Sequence, residues 1–183
     1  MRRVLAAARY DEAIELAVKL LKFYDKPLLA TPLGELLRTC AAQELDCAEY
    51  DFVIPVPLHR VRQRARGFNQ AELLAREVLP AFSNARLDAS LARIRPTRVL
   101  SRLHTDTDRK SSVRGAFRVA RAPHLVGARV LLVDDVVTSG ATVSECATAL
   151  VKSGVATVDV LAVALALPRS HDTVRNTAFD DLA

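Results

Sequence analysis

Residues 130–142, VLLVDDVVTSGAT, constrain the fold of this 183-residue chain more than any other segment. Val130, Leu131, Leu132 and Val133 form an uninterrupted apolar run, the pattern of a strand buried on both faces of a parallel sheet. Asp134 and Asp135 follow at once, then two more valines, then Thr138, Ser139, Gly140, Ala141 and Thr142. The order predicts a strand, an acidic pair at its tip, a tight turn and a helix. Carboxyl ends of strands are where open α/β sheets bind their ligands.

A turn of small residues lets backbone N–H groups close around a phosphate, and the helix behind it aims its unsatisfied donors and positive dipole end at the same anion. Gly140 is expected to permit the close approach. The dipole supplies only ~0.3–2 kcal/mol, so direct bonds from Thr138, Ser139 and Thr142 must carry most of the binding. Two carboxylates about 5 Å apart repel by roughly 3 kcal/mol at an effective dielectric of about 20. A diol offering two O–H donors, or a Mg²⁺ held nearby, relieves that repulsion. The order of residues is that of a ribose 5-phosphate site; the competing reading is an ordinary strand and capped helix with an exposed Asp-Asp turn.

The segment resembles the 5-phosphoribosyl-1-pyrophosphate (PRPP) motif of type I phosphoribosyltransferases, in which the acidic pair holds the ribose hydroxyls and the loop wraps the 5-phosphate. A second stretch narrows the family: PVPLH at 55–59 and RARGFNQA at 64–71 are similar to the signature of the ComF family of phosphoribosyltransferase-like proteins. A third, weaker match comprises Thr97, Leu103, Arg109 and Gly115-Ala116-Phe117, with Leu100 where that family usually has Gln and Ser112 where it usually has Asn. The resemblance spans roughly residues 20–167. It implies an α/β type I phosphoribosyltransferase fold, a central mostly parallel sheet flanked by helices, with Mg²⁺ as cofactor of PRPP. It implies PRPP-binding roles for Asp134, Asp135 and Thr138 to Thr142, and a pyrophosphate loop at Pro55, Val56, Pro57, His59 and Arg60. Asp134, Asp135 and Arg109 are the candidate catalytic residues.

Periodicity supports the α/β pattern. Ile14, Ala17, Val18 and Leu21 follow helical spacing after Asp11, as do Leu33, Leu36, Leu37 and Cys40 after Thr31-Pro32. Residues 51–56 are expected to form the first strand, and 69–82 a helix with an Asn69/Glu72 capping box. Further strands are expected at 117–119, 130–133 and 157–167. Between them lies a helix with Val143, Cys146, Ala147, Leu150 and Val151 on one face, closed by Gly154. The chain is read as one domain: helices over 1–45, a PRPP-binding core over 50–168 and a tail over 169–183. The polar segment 97–114 has the composition of a mobile loop closing over the reacting centre, where Arg98, Arg102, Arg109 and Lys110 could meet pyrophosphate.

His59, Arg60, Arg62, Arg64 and Arg66 form the densest cationic cluster, expected as a loop after PVP that is either solvated or suited to pyrophosphate, because guanidinium can bond two oxygens at once. Together with the net charge of +5 and pI near 9.4, the cluster also admits single-stranded DNA as a partner. Three cysteines, Cys40, Cys47 and Cys146, suit reduced thiols in a cytoplasmic protein. Many ComF-like chains carry an N-terminal four-cysteine zinc module, which this sequence lacks; no metal ligands are assigned. His104, His124 and His171 receive no role. No apolar run is long enough to span a membrane. A homodimer is compatible with the sequence.

The leading expectation is transfer of a phosphoribosyl group from PRPP to an unidentified nucleobase or amine acceptor. The alternatives are a non-catalytic PRPP or nucleotide regulator and a competence (DNA uptake) factor. No Gly-Lys-Ser/Thr or GxGxxG supports a nucleotide hydrolase or a dinucleotide fold. Thr138 stands where hypoxanthine-guanine transferases usually have Asp, which argues against those bases, and the Lys-rich loop of orotate transferases is not evident.

Overall fold

A computed structural model describes residues 1–23, 27–96 and 111–166. Thr97, Arg98, Leu100, Arg102, Leu103, His104, Arg109, Lys110 and the tail, with His171, lie outside the described residues.

Five parallel strands form the main sheet in the order β1 (Val4–Arg9), β7 (Thr157–Leu165), β6 (Arg129–Val137), β2 (Phe52–Pro55) and β3 (Arg86–Leu87). Strand β6 is central: Val130 to Val133 pair with Phe52 to Pro55 on one side and with Val158 to Leu161 on the other. Because side chains alternate along a strand, Val130 and Leu132 enter one core while Leu131 and Val133 enter the other. The first core contains Val143, Cys146, Ala147 and Leu150 of helix α5 (Ala141–Lys152). The second contains α1 (Glu12–Phe23), α2 (Ala30–Glu44) and α4 (Gln70–Val78). Helices on both faces account for the uninterrupted apolar run that the sequence shows.

A two-stranded antiparallel sheet, β4 (Leu91–Arg93) with β5 (Phe117–Val119), packs beside the α5 face. Within the helical layer, Gly34 lets α2 and α4 meet closely: a Cβ there would lie 2.3 Å from Glu77 Cβ.

Several local expectations are corrected. The first strand is β1, so the 1–45 region begins with an edge strand and not a helix. Its alanine-rich sequence carries little intrinsic strand preference, and pairing with β7 overrides that. Helix α4 ends at Val78, and Pro80 falls within a following 3₁₀ turn, Leu79–Ala81. Asn69 caps α4 by accepting the Ala71 N–H at 3.2 Å, whereas Glu72 pairs with Arg76 at 2.7 Å and closes no box. Val151 is 48% exposed and leaves the apolar face of α5 at Leu150. The arginine run expected as a loop is helix α3 (Arg60–Arg66), capped by His59 and closed by Gly67 at φ 83°. That left-handed φ is the reason for glycine at 67.

A buried carboxylate secures β1 to the sheet. Asp159, 1% exposed, accepts from Arg2 at 2.7 Å, from the Arg3 backbone N–H at 3.0 Å and from Tyr50 Oη at 2.7 Å. Burial disfavours its charge, but the bonds from Arg2 and Tyr50, with the charges of Arg2 and Arg3, outweigh that and hold Asp159 below its ordinary pKa. Burial, reinforced by Asp159, pushes the Tyr50 hydroxyl up to about 12. A depressed carboxylate pKa stabilises the fold above its unfolded value of about 3.9, and the gain is lost as pH falls through the lower folded value. Asp159→Ala is expected to cost about 3 kcal/mol in urea unfolding at pH 7, near the low end for a broken buried pair because Arg2 stays half exposed. Tyr50→Phe should cost about 1–2 kcal/mol. The Asp159→Ala deficit should shrink below about pH 4.

Candidate functional site

Strand β6 does not end at the acidic pair. Asp134 still pairs with Ala162, and the ladder runs on through Val136 and Val137 to Ala164 and Leu165. The carboxylates are therefore not an exposed turn: Asp134 is 9% exposed and Asp135 3%. Asp134 Oδ1 accepts the Asp135 N–H at 2.9 Å, and Asp135 Oδ1 accepts the Val136 N–H at 2.6 Å. Lys22 Nζ, from the last turn of α1, lies 2.9 Å from Asp135 Oδ1. Asp135 Oδ2 is buried without a hydrogen-bond partner. Burial, and then the charge of Asp135, push Asp134 up to about 7; Lys22 and Arg93 act in the opposite direction.

Beyond the pair, Thr138 to Gly140 turn the chain into α5. Gly140 adopts φ 72°, and a Cβ there would meet nothing within 4 Å, so the backbone conformation is what asks for glycine. Ser139 Oγ is buried without a partner, and the first turn of α5 has backbone donors with no intrahelical acceptor. Asp134, Asp135 and Thr138 to Thr142 line one cleft of about 380 Å³.

Helix α3 supplies part of the opposite wall, and its period divides the arginines. Arg62 and Arg66, four residues apart, line the cleft, whereas Arg60 and Arg64 border a separate shallow hollow with Gln63 and Gly67. Val56 and Pro57 line the cleft, but Pro55, His59 and Arg60 do not. Pro55 is buried in β2, and His59 faces its own helix, Nδ1 accepting the Val61 N–H at 3.4 Å. Asn69 donates to the Val56 carbonyl at 3.1 Å, which fixes this turn against α4.

Two cleft-lining cations come from elements that the sequence gives no reason to place there. Arg93 of β4 lies 5.3 Å over the Phe117 ring, its pKa lowered by burial and by Arg62. Lys22 belongs to α1, which also brings Glu15 and Lys19 to the rim, with Tyr10 just ahead of the helix. Arg66 contacts Gln70, and its pKa is lowered by burial and by Arg62, with Asp135 opposing. Five cationic side chains thus border the cleft against three carboxylates, Glu15, Asp134 and Asp135. The surplus of positive charge suits a polyanionic ligand.

Among the described residues no group of three or more His, Cys, Asp or Glu could hold a metal. The acidic pair nevertheless fits Mg²⁺ as part of a shell: Asp135 Oδ2 is an unclaimed buried acceptor, and Mg²⁺ commonly takes few protein carboxylates beside substrate oxygens. Cys40 and Cys146 are buried, and the three cysteines are free thiols. His124, unassigned from the sequence, pairs with Asp88 at 2.9 Å, outside the cleft. Among the described residues no helix is long and apolar enough to cross a membrane.

No family model matches the chain. It is 32% identical over 162 residues to the DNA utilization protein YhgH of Salmonella typhi, covering 87% of this chain and 70% of that protein. Competence protein F of Haemophilus influenzae is 29% identical over 168 residues, 90% of this chain and 73% of that one. Among solved structures, the glutamine PRPP amidotransferase from B. subtilis complexed with ADP and GMP superposes with a TM-score of 0.52 at 20% identity, over 80% of this chain and 30% of that one. An allosteric regulatory enzyme of purine biosynthesis gives 0.50 at 21% identity, over 74% and 26%. These two share the fold, the mostly parallel sheet with flanking helices.

The raised pKa of Asp134 generates a stability prediction. A carboxylate raised in the folded state weakens the fold when charged, so the loss grows as pH climbs from about 4 towards 7. Asp134→Asn removes the buried like charge at nearly constant shape. It is expected to stabilise the ligand-free protein by on the order of 1–3 kcal/mol at pH 8, and by less at pH 5. Thermal melts of both proteins at the two pH values check this; equal melting temperatures at pH 8 would contradict it.

Proposed function

The chain belongs to the ComF family, which includes DNA utilization protein YhgH and competence protein F, and from that premise we propose that it binds PRPP and transfers its phosphoribosyl group to a nitrogen acceptor. The observation that carries the reading is a pair of buried, partnerless acceptors, Asp135 Oδ2 and Ser139 Oγ, lining one cleft between the acidic pair and the first turn of α5. In this reading Asp134 and Asp135 accept from the ribose hydroxyls. Thr138, Ser139, Thr142 and the backbone of 138–142 hold the 5-phosphate. Val56 and Pro57 line the path to the leaving group. The pyrophosphate role assigned to Arg60 from sequence moves to Arg62, Arg66 and Arg93, because Arg60 lies on the outer side of α3.

The reaction forms a bond from the acceptor nitrogen to the anomeric carbon while the bond to pyrophosphate breaks, pyrophosphate taking the electron pair and the nitrogen then losing a proton. Charge develops on the leaving oxygens as that bond lengthens, and guanidinium groups already in place stabilise it without reorganising. Holding the sugar at both its phosphate and diol ends fixes the anomeric carbon for in-line attack with inversion. Mg²⁺, held by the acidic pair together with ligand oxygens, would neutralise further charge on the pyrophosphate. Arg109 keeps its candidate role from the sequence; it lies outside the described residues.

Calorimetry with ribose 5-phosphate and with PRPP plus Mg²⁺ tests the assignment. Gly140→Val should weaken both ligands, because a β-branched residue resists positive φ. Arg66→Ala should weaken PRPP by about tenfold or more and leave ribose 5-phosphate nearly unchanged. A Gly140→Val protein that binds ribose 5-phosphate normally would refute the phosphate site. PRPP-dependent pyrophosphate release across a panel of bases and amines separates an enzyme from a regulator that only binds.

The names of the relatives favour a second reading, a DNA-linked role, and the outward face of α3 gives it a location. Arg60 and Arg64 are exposed and face away from the cleft. If single-stranded DNA lies there, Arg60→Ala with Arg64→Ala should flatten the salt dependence of binding by about 1.4 units of slope. Arg62→Ala should not.

A further inference from the structure

The ion pair between α1 and the acidic pair carries a consequence beyond sugar phosphate binding. Lys22 Nζ lies 2.9 Å from Asp135 Oδ1, with the lysine side chain 23% exposed and the carboxylate 4%. Asp134, adjacent in the chain, is also buried and lines the same cleft, while Asp135 Oδ2 has no partner. The Lys22 ammonium is thus in direct contact with one member of a buried carboxylate pair. Of the remaining pocket cations, Lys19 shares α1 with Lys22, while Arg62 and Arg66 come from α3 and Arg93 from β4. An ammonium in contact with a carboxylate occupies the coordination space that a divalent cation would take, and repels such an ion by direct Coulomb interaction.

We propose that Lys22 is the internal counter-ion of the acidic pair, so that a divalent cation binds Asp135, through Oδ1 or the partnerless Oδ2, only by displacing the Lys22 ammonium or against its repulsion. The lysine lets α1 close against two buried carboxylates without a bound metal. It also raises the barrier to metal binding at an empty site, so that ion and ligand load together and not the ion first. Because the ion pair joins α1 to β6, displacement frees the last turn of the helix that carries Glu15 and Lys19 at the rim. Lys22 is in this sense a positioning residue. The inference uses the cleft described above but not the identity of its sugar ligand.

Mn²⁺ binding to the 183-residue protein, read by electron paramagnetic resonance without any phosphate ligand, tests it. Lys22→Gln keeps the length and polarity of the side chain and removes its charge; it should bind Mn²⁺ about tenfold or more tightly than the parent. Lys22→Arg should remain as weak as the parent, and adding Asp135→Asn to Lys22→Gln should abolish the gain. Equal affinity of Lys22→Gln and parent overturns the proposal, as does a gain in Lys22→Arg, which would trace the effect to packing. Should Lys22→Gln not fold, the ζ-¹⁵N resonance of Lys22 in the parent protein decides: Mg²⁺ must shift it, and an unmoved resonance at saturating Mg²⁺ overturns the proposal. Ribose 5-phosphate calorimetry on the parent protein is independent of these outcomes, so loss of the sugar phosphate reading and loss of this one are told apart.

Discussion

Two carboxylates set side by side near the end of a buried strand are the constraint around which this molecule is arranged. Strand β6 is hydrogen-bonded on both flanks and sandwiched between two cores, so its backbone cannot move to separate Asp134 from Asp135. Their repulsion must be answered by charges brought from elsewhere in the chain. Lys22 comes from α1, Arg66 from α3 and Arg93 from β4, and each acts on a member of the pair. None of these elements adjoins β6 in sequence. The packing that brings them together is that of the fold itself: α1 is seated on one face of the sheet by Val18 and Leu21, and β4 on the other by Leu91. An accumulation of both signs in one small cleft is expensive in a protein with no ligand to use it, because buried ions lose hydration that mutual attraction only partly restores.

How much of this was legible in the sequence depends on whether the cause was local. The apolar run of β6, Gly140 at the turn and Asn69 at the head of α4 depend on a few neighbouring residues, and each stands where the pattern predicts, whereas the acidic pair expected at the strand's tip lies within β6, which runs on to Val137. The parallel sheet follows from the same logic, since a strand apolar at every position needs cover on both faces. Strand β1 was not legible, because VLAAAR has one β-branched residue and owes its conformation to β7 and to the bonds that Asp159 makes with Arg2 and Arg3. Asp159 is a lone charge in the otherwise apolar sequence of β7, and it is a fully enclosed anchor between the chain's beginning and its last described strand. Lys22 and Arg93 leave no local trace at all, since charge on a helix or strand is ordinarily solvent-facing.

The arginine run shows an intermediate case. From composition alone it is a basic segment with one undivided character, and an extended loop would let four arginines reach one ligand. Folded as a helix from His59's cap to Gly67, the same residues separate by the 3.6-residue period, and the i, i+4 pairs become opposite surfaces. Arg62 and Arg66 belong to an enclosed, cation-rich cleft in which a guanidinium loses hydration and gains directionality. Arg60 and Arg64 stay in water, where each contributes charge to the outside and little geometry. One seven-residue helix therefore presents two chemically different uses of arginine. A small phosphorylated ligand suits the inner pair, because fixed forks in low dielectric discriminate shape. A flexible polyanion suits the outer pair, because screened charges tolerate many arrangements. The two proposed readings, a sugar phosphate cleft and a polyanion-binding outer face, need not compete for the same side chains, and the helix's period is what keeps them apart.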